Sequence, residues 1–311
     1  MNVRLGTRGS RLALVQCEQV AQALRAHGAR VEVVVIRTSG DRLAQVALAD
    51  FGGKALFVKE IEEALLAGQV DVGVHSLKDM PAALPGGLVL AAFPTREDPA
   101  DVLLTRGPGG WDGLPRGARV GTSSLRRRAL VLARRPDLRP EPIRGNVETR
   151  IEKLGAGACD ATILAAAGLR RLGLAPPHLT VLPVDEFVPA VGQGILAVEA
   201  READREVLEL LGRLDDTRSR SEAVAERALL DRLGADCHTP VAGHARHDGS
   251  ALTLTGIVAS LDGGTVLRSQ ATGGPRQAEQ LGASVAEELL AKGAKALLDA
   301  GRAGGQDAVG R

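Results

Sequence analysis

Two glycine-containing turns, one strand end and one loop hold the residues of this chain whose types and spacing could do chemistry. Gly6-Thr7-Arg8-Gly9-Ser10 and Gly121-Thr122-Ser123-Ser124-Leu125-Arg126-Arg127 each join a short apolar run to a helical pattern. Turns of this kind aim free backbone N–H groups and the positive end of a helix dipole at one point, which attracts phosphates or carboxylates. A third segment, Arg144-Gly145-Asn146-Val147-Glu148-Thr149-Arg150, adds two arginines. Arg suits such ligands because its planar fork grips both oxygens of a carboxylate. Together the three segments point to a polyanionic ligand. Taken singly, Ser10 and Ser124 read as helix caps with solvated arginines beside them.

Lys78 and Asp79 directly follow the buried run Val70 to Val74, so they fall at the carboxyl end of a strand. A carboxylate among arginines there stays ionised and can stabilise a developing cation or relay a proton. The competing reading is an Asp that shapes the turn before Pro81. His75 reads as satisfying a strand end. The three cysteines, Cys17, Cys159 and Cys237, are odd in number and far apart, which suggests neither a disulfide framework nor a zinc cluster. Cys17 and Cys159 sit in apolar surroundings. Cys237 lies in the polar loop Gly234-Ala235-Asp236-Cys237-His238-Thr239-Pro240 and is the available thiol. Its spacing to His238, His244 and His247 matches no standard zinc pattern, so no metal is expected.

These residues need a scaffold, and 311 residues with 44% hydrophobic content supply two or three domains. Aromatics make up 2% of the chain, with no Tyr, so there is almost nothing on which nucleic-acid bases could stack. The net charge of +1 also argues against a nucleic-acid footprint. Charge is nevertheless uneven: residues 116–150 hold ten arginines against three acids. The N-terminal segment enters a strand pattern at once, without the apolar core of a signal peptide. No apolar run approaches the ~18 residues of a membrane span, so a cytoplasmic protein is expected.

Strand patterns at Val3–Leu5, Val31–Arg37 and Val70–Val74 alternate with helical patterns at Arg11–Ala26 and Lys59–Ala67, which predicts a largely parallel α/β sheet. The plan then repeats. Arg119-Val120-Gly121-Thr122 echoes the opening strand and turn, and Ala156-Gly157-Ala158-Cys159-Asp160 echoes Ala67-Gly68-Gln69-Val70-Asp71. Two echoes in the same order predict a duplicated α/β unit with its ligand in a cleft at the strand ends. Punctuation at Pro94–Pro99 and at Val188–Gly194 predicts a discontinuous first domain, 1–96 with 190–216. Residues 97–189 form the second domain, with an Arg-rich cleft face. Residues 217–311 form a smaller α+β domain carrying Cys237, with the strand Ala251–Ala259, helices at Ser221–Leu233 and Gln277–Leu290, and a mobile Gly-rich tail from Gly301.

Seven segments in order resemble the hydroxymethylbilane synthase (porphobilinogen deaminase) family. They are the three arginine segments above with Ile143, Gly52-Gly53-Lys54-Ala55-Leu56-Phe57-Val58-Lys59-Glu60, His75-Ser76-Leu77-Lys78-Asp79-Met80-Pro81, Ala167-Gly168-Leu169-Arg170-Arg171-Leu172-Gly173 and Pro189-Ala190-Val191-Gly192-Gln193-Gly194. The resemblance implies two type II periplasmic-binding-protein-like domains, a third α+β domain, and a monomeric transferase of heme and tetrapyrrole biosynthesis. Such an enzyme joins four porphobilinogens head to tail on a dipyrromethane cofactor, releases ammonia at each step, and frees the linear tetrapyrrole hydroxymethylbilane by hydrolysis. By position, Cys237 matches the thioether-bearing cysteine and Asp79 the catalytic carboxylate. Lys78, Asp79, Ser124, Arg126, Arg127 and Gly145 match cofactor contacts. Arg8, Ser10, Phe57, Thr122, Arg144, Arg150, Arg171 and Gln193 match substrate contacts. Asp236 stands where the family usually has Gly, and Leu77 where it usually has Met. The reading from another class is a non-catalytic anion-binding module of the same fold, which needs neither Asp79 nor Cys237. An Arg-rich RNA-binding protein is disfavoured by the missing aromatics.

Overall fold

The computed structural model describes residues 1–37, 58–235 and 239–307. The chain opens with β1 (Asn2–Thr7), α1 (Arg11–Ala26), β2 (Arg30–Val35), α2 (Lys59–Leu66), β3 (Val72–Ser76) and β4 (Leu88–Ala92). It continues with β5 (Asp101–Thr105), β6 (Arg119–Gly121), α3 (Leu125–Arg134), β7 (Arg139–Glu141), α4 (Val147–Gly155), β8 (Ala161–Ala165), α5 (Ala166–Leu172) and β9 (Leu179–Val181). After these come β10 (Leu196–Arg201), α6 (Arg205–Gly212), α7 (Thr217–Arg232), β11 (Val241–Asp248), β12 (Ala251–Ala259), β13 (Val266–Gly273), α8 (Ala278–Ala291) and α9 (Ala294–Asp307).

Two five-stranded sheets share one plan, β2-β1-β3-β10-β4 and β7-β6-β8-β5-β9. In each, the first three strands are parallel and the fourth is antiparallel to the third. That fourth strand is traded: β5 follows the first set of strands yet joins the second sheet, and β10 follows the second set yet joins the first. The duplication extends to side chains. The Arg4 N–H and guanidinium bond Asp71, and Arg4 also donates to the Gly68 carbonyl at 2.8 Å. Arg119 makes the same pair of links, to Asp160 at 2.8 Å and to the Gly157 carbonyl at 2.9 Å. The two echoes in the sequence are therefore one clasp used twice.

Burial explains why these segments form these elements. Cys17, Val20, Ala21 and Leu24 recur at helical spacing on α1 and are buried against Val3, Leu5, Val72 and Val198 of the first sheet. β8 is apolar on nearly its whole length because helices cover both faces of its sheet. In the third unit, α7 and α8 pack on the antiparallel sheet β11-β12-β13, with Leu229, Leu252, Leu254, Val285 and Leu289 fully buried between them.

Pro94–Ala100 and the stretch before Leu196 cross between the sheets. Arg96 ties them to the third unit: it donates to Glu226 of α7 at 2.7 Å and to the Gln193 carbonyl at 3.0 Å. Glu226, wholly buried, also accepts the N–H groups of Gly192 and Ala245. The Gly-rich stretch from Gly301 is helical as far as Asp307. α9 runs on to Asp307 because buried Ala294 and Leu298 anchor its first turns to the core, and helix propagates more easily than it starts. Residues 308–311 lie outside the described residues. Among the described residues no helix is long and apolar enough to cross a membrane.

Candidate active site

The carboxyl ends of β3 and β8 meet α1 and the crossover before β10 at a cavity of about 90 Å³. Leu12 and Gln16 of α1, Ser76 and Lys78 enter it from the first unit. Arg127, Val147, Arg150, Leu164, Ala167, Gly168 and Arg171 enter it from the second, with Gly194 and Ile195 on the crossover. The cavity is apolar at its walls and cationic at four points. Arg11 of α1 reaches Glu148 of α4 at 3.3 Å across its mouth.

Lys78 and Asp79 lie in a single 3-10 turn, Leu77–Asp79, directly after β3. Buried Leu77 pins that turn beneath the crossover, where it accepts no bulk: a Cβ on Gly192 would stand 2.7 Å from the Leu77 side chain. Burial pushes the Lys78 ammonium down to about 8; Asp79 opposes that shift, and Arg127 adds to it. Arg150 is pushed down to about 10 by burial and then by Arg127, again with Asp79 opposing. The exposed Asp79 carboxylate thus acts on both cations. Arg171, also lowered to about 10 by burial, donates to the Gly194 carbonyl at 2.8 Å. Cations whose charge is costly to keep gain most from an anionic ligand.

Arg127 donates to the Ile163 carbonyl and to Asp101 Oδ1, at 2.8 and 2.7 Å, while its buried Nε has no hydrogen-bond partner among the described residues. Arg126 is not among the residues that line the cavity. It is buried beneath the cavity, donating to Asp101 Oδ2 at 2.7 Å and to the Val188 carbonyl at 2.8 Å, with its guanidinium 5.9 Å from the Phe187 ring centre. Gln193 donates to Asp101 at 3.0 Å and to the Pro99 carbonyl at 2.7 Å, and accepts from Lys78 Nζ at 3.5 Å.

Ser10 and Ser124 cap α1 and α3, accepting from the N–H groups of Ala13 and Arg127. Capping keeps each hydroxyl at the helix end where an anion would dock. Thr122 Oγ1 accepts from the Ser124 N–H at 3.2 Å and so shapes the same turn. Gly145 has φ +114°, a left-handed conformation that a Cβ would make strained and would set 2.6 Å from Thr149. Its carbonyl holds Arg150 Nε at 2.9 Å and so aims that guanidinium. Arg8, half-buried, follows β1, and Arg144, half-buried, precedes Gly145. His75 Nε2 lies 3.0 Å from Glu199 Oε2, both side chains buried, away from the cavity. Phe57 and Cys237 lie outside the described residues.

The residue missed from the sequence is Asp101. An acid opening the apolar run Asp101-Val102-Leu103-Leu104 was the available signal, because a charge inside a buried strand requires paired cations. Burial alone would raise its carboxyl, but Arg126 and Arg127 hold it well below the usual carboxylate range.

Paired α/β units whose cations converge on one crevice, with a carboxylate at its edge, define a protein that holds a small polyanion and can act on it. A family model described as porphobilinogen deaminase, dipyromethane cofactor binding domain, matches residues 3–209, and one described as porphobilinogen deaminase, C-terminal domain, matches residues 221–291. The porphobilinogen deaminase of Syntrophus aciditrophicus is 49% identical over 299 residues, 96% of this chain and 98% of its own. That of Syntrophobacter fumaroxidans is 50% identical over 299 residues, 96% of this chain and 97% of its own. The chain belongs to the porphobilinogen deaminase family. It is an enzyme, a transferase of tetrapyrrole biosynthesis that works with a dipyrromethane cofactor. The described residues fit such a group. A dipyrromethane presents flat apolar rings fringed with carboxylates, and the cavity offers apolar walls, four cations and the unpartnered Nε of Arg127.

Proposed function

We propose that this cleft is where porphobilinogen is condensed, with Asp79 as the catalytic carboxylate and Lys78, Arg127, Arg150 and Arg171 as the carboxylate-holding cations. The observation that carries the reading is the convergence of these four cations on one cavity at the junction of the two sheets, with Asp79 acting on two of them, Lys78 and Arg150. The dipyrromethane, in thioether linkage to Cys237, supplies the fixed pyrrole end that is extended by four porphobilinogens before hydrolysis frees hydroxymethylbilane.

Asp79 accepts a hydrogen bond from the pyrrole N–H of the incoming porphobilinogen. When ammonia departs, that ring's methylene becomes cationic, and the carboxylate opposes the developing charge. It is also placed to take the proton released when the new carbon–carbon bond restores aromaticity. Arg150 and Lys78 flank it and hold acetate and propionate groups, which fixes the ring for attack. Arg8, Ser10, Thr122 and Arg144 extend the anion-holding surface along the two turns, and Phe57 is assigned to the substrate by its match to the family motif alone. Ser124 and Gly145 contribute through the turns they shape, and Gln193 through Lys78. The enzyme divides into domains 1–96 with 190–216, 97–189 and 217–311. It acts as a cytoplasmic monomer, and its few aromatics and net charge of +1 leave nucleic acid out of its partners.

The test is single-turnover porphobilinogen consumption by folded Asp79→Asn protein supplied with preformed tetrapyrrole to install the cofactor. Loss of a well-placed charge and proton acceptor lowers the rate ~10²–10⁴-fold. A rate within a fewfold of the parent makes Asp79 a turn-shaping residue and overturns the reading.

A further inference from the structure

Arg126 and Arg127 are neighbours on α3, and consecutive helical side chains diverge by about 100°. They nevertheless meet at one carboxylate. Asp101 Oδ2 accepts from Arg126 and Oδ1 from Arg127, each at 2.7 Å, and Oδ1 also accepts the Gln193 amide at 3.0 Å. Asp101 is fully buried and contributes nothing to the cavity lining. Through Gln193, whose carbonyl accepts from Lys78 Nζ at 3.5 Å, its influence reaches the other sheet. One enclosed carboxylate therefore fixes an arginine that enters the cleft from the second unit and a lysine that enters it from the first. The link runs along the crossover, where the two units are joined.

We propose that Asp101 is a positioning residue for porphobilinogen condensation, orienting Arg127 directly and Lys78 through Gln193. The inference rests on the cleft reading above. Without the carboxylate, two adjacent guanidiniums face each other unneutralised and Arg127 loses the acceptor that turns it toward the cavity. The Gln193 amide nitrogen keeps its bond to the Pro99 carbonyl but loses its second acceptor, so the side-chain oxygen that steadies Lys78 is held less firmly.

The experiment compares Asp101→Asn, Asp101→Glu and Gln193→Met in the full-length enzyme. Its first readout is the pH dependence of amine acylation at Lys78, followed by peptide mass spectrometry, which needs no turnover. The charged groups acting on Lys78 are Asp79, Arg127, Asp101 and Arg126, so removing the Asp101 charge moves the Lys78 midpoint below its parent value of about 8. The second readout is single-turnover rate. Misplacement of reacting groups by about an ångström costs on the order of 10²-fold, so Asp101→Asn falls by that order with a smaller change in KM, and Asp101→Glu recovers part of it. Gln193→Met leaves the Asp101 pairs intact and decides the matter if Asp101→Asn does not fold; its Lys78 reactivity changes and its rate drops at least ~10-fold. Folded variants in which Lys78 titrates as in the parent and turnover stays within a fewfold overturn the inference. Failure of the cleft reading looks different: Arg150→Leu turns over normally while the Lys78 titration still moves.

Discussion

The two α/β units are built on one frame and equipped for different work. Register places Leu196 opposite Ser76 in the first sheet, and Asp101 opposite Ala165 in the second. The first residue of the traded strand is thus apolar in one unit and charged in the other. Around Leu196 the strand end closes with apolar packing, and the charged groups lie beyond it, at Lys78 and Asp79. Around Asp101 the strand end becomes an anchor for arginines. The lesson is a difference between two strand ends: the one with an apolar closure leaves the nearby Asp79 carboxylate exposed, while the other buries Asp101 and pairs it with two arginines.

Breaking the second unit's anchor has the largest expected effect on the fold. Arg126→Leu leaves Asp101 buried with half its compensation, which costs about 3–5 kcal/mol, read by denaturant unfolding of the holoenzyme. Arg127→Leu carries a similar stability cost, and in addition loses the guanidinium that enters the cleft. Cofactor incorporation, read as the intact-protein mass, therefore falls far more for Arg127→Leu than for Arg126→Leu. Equal incorporation in the two variants erases the distinction between a supporting and a lining arginine.

A smaller effect sharpens the first unit's role. Lys78 is lowered to about 8 by burial, so it is protonated below that pH and neutral above it. Carboxylate holding through Lys78 is accordingly full near pH 7 and fades as pH rises through about 8. The KM for porphobilinogen should rise a fewfold between pH 7 and 9, and in Lys78→Arg that rise should be absent, because guanidinium stays charged throughout. The smallest effect concerns what the units share. Arg4→Ala and Arg119→Ala each remove one copy of the clasp at a side chain that is 40% exposed in both units. Both variants should unfold close to the parent, and close to each other, because exposed ion pairs contribute little.

Much of this frame was legible from the sequence because it follows from local pattern. α1 spans Arg11–Ala26 and β12 spans Ala251–Ala259, as the apolar periodicity and alternation predict. Anion-attracting turns could be located because glycines, hydroxyls and arginines were adjacent in sequence. Arg126 could not be separated from Arg127 in this way: both pair with Asp101, 25 and 26 residues away in sequence, and only Arg127 goes on to line the cavity. Asp101 was overlooked because its function depends on partners from α3 and from the second crossover, which only tertiary structure brings together. The helical run through Gly301 to Asp307 was not legible from composition, because glycines disfavour helix and its anchors, Ala294 and Leu298, lie earlier in the chain.

The traded strand also sets a timetable for synthesis. β10 lies between β3 and β4 in the finished sheet, yet it is translated about a hundred residues after them. At roughly 5–20 residues per second, the ribosome extends for about 5–20 s with both of those edges awaiting their shared neighbour. Unpaired edges invite pairing with other chains. The nascent first unit therefore passes through a window of vulnerability that a simple head-to-tail tandem of two self-contained sheets would not have, and that window closes only when Arg201 has left the exit tunnel.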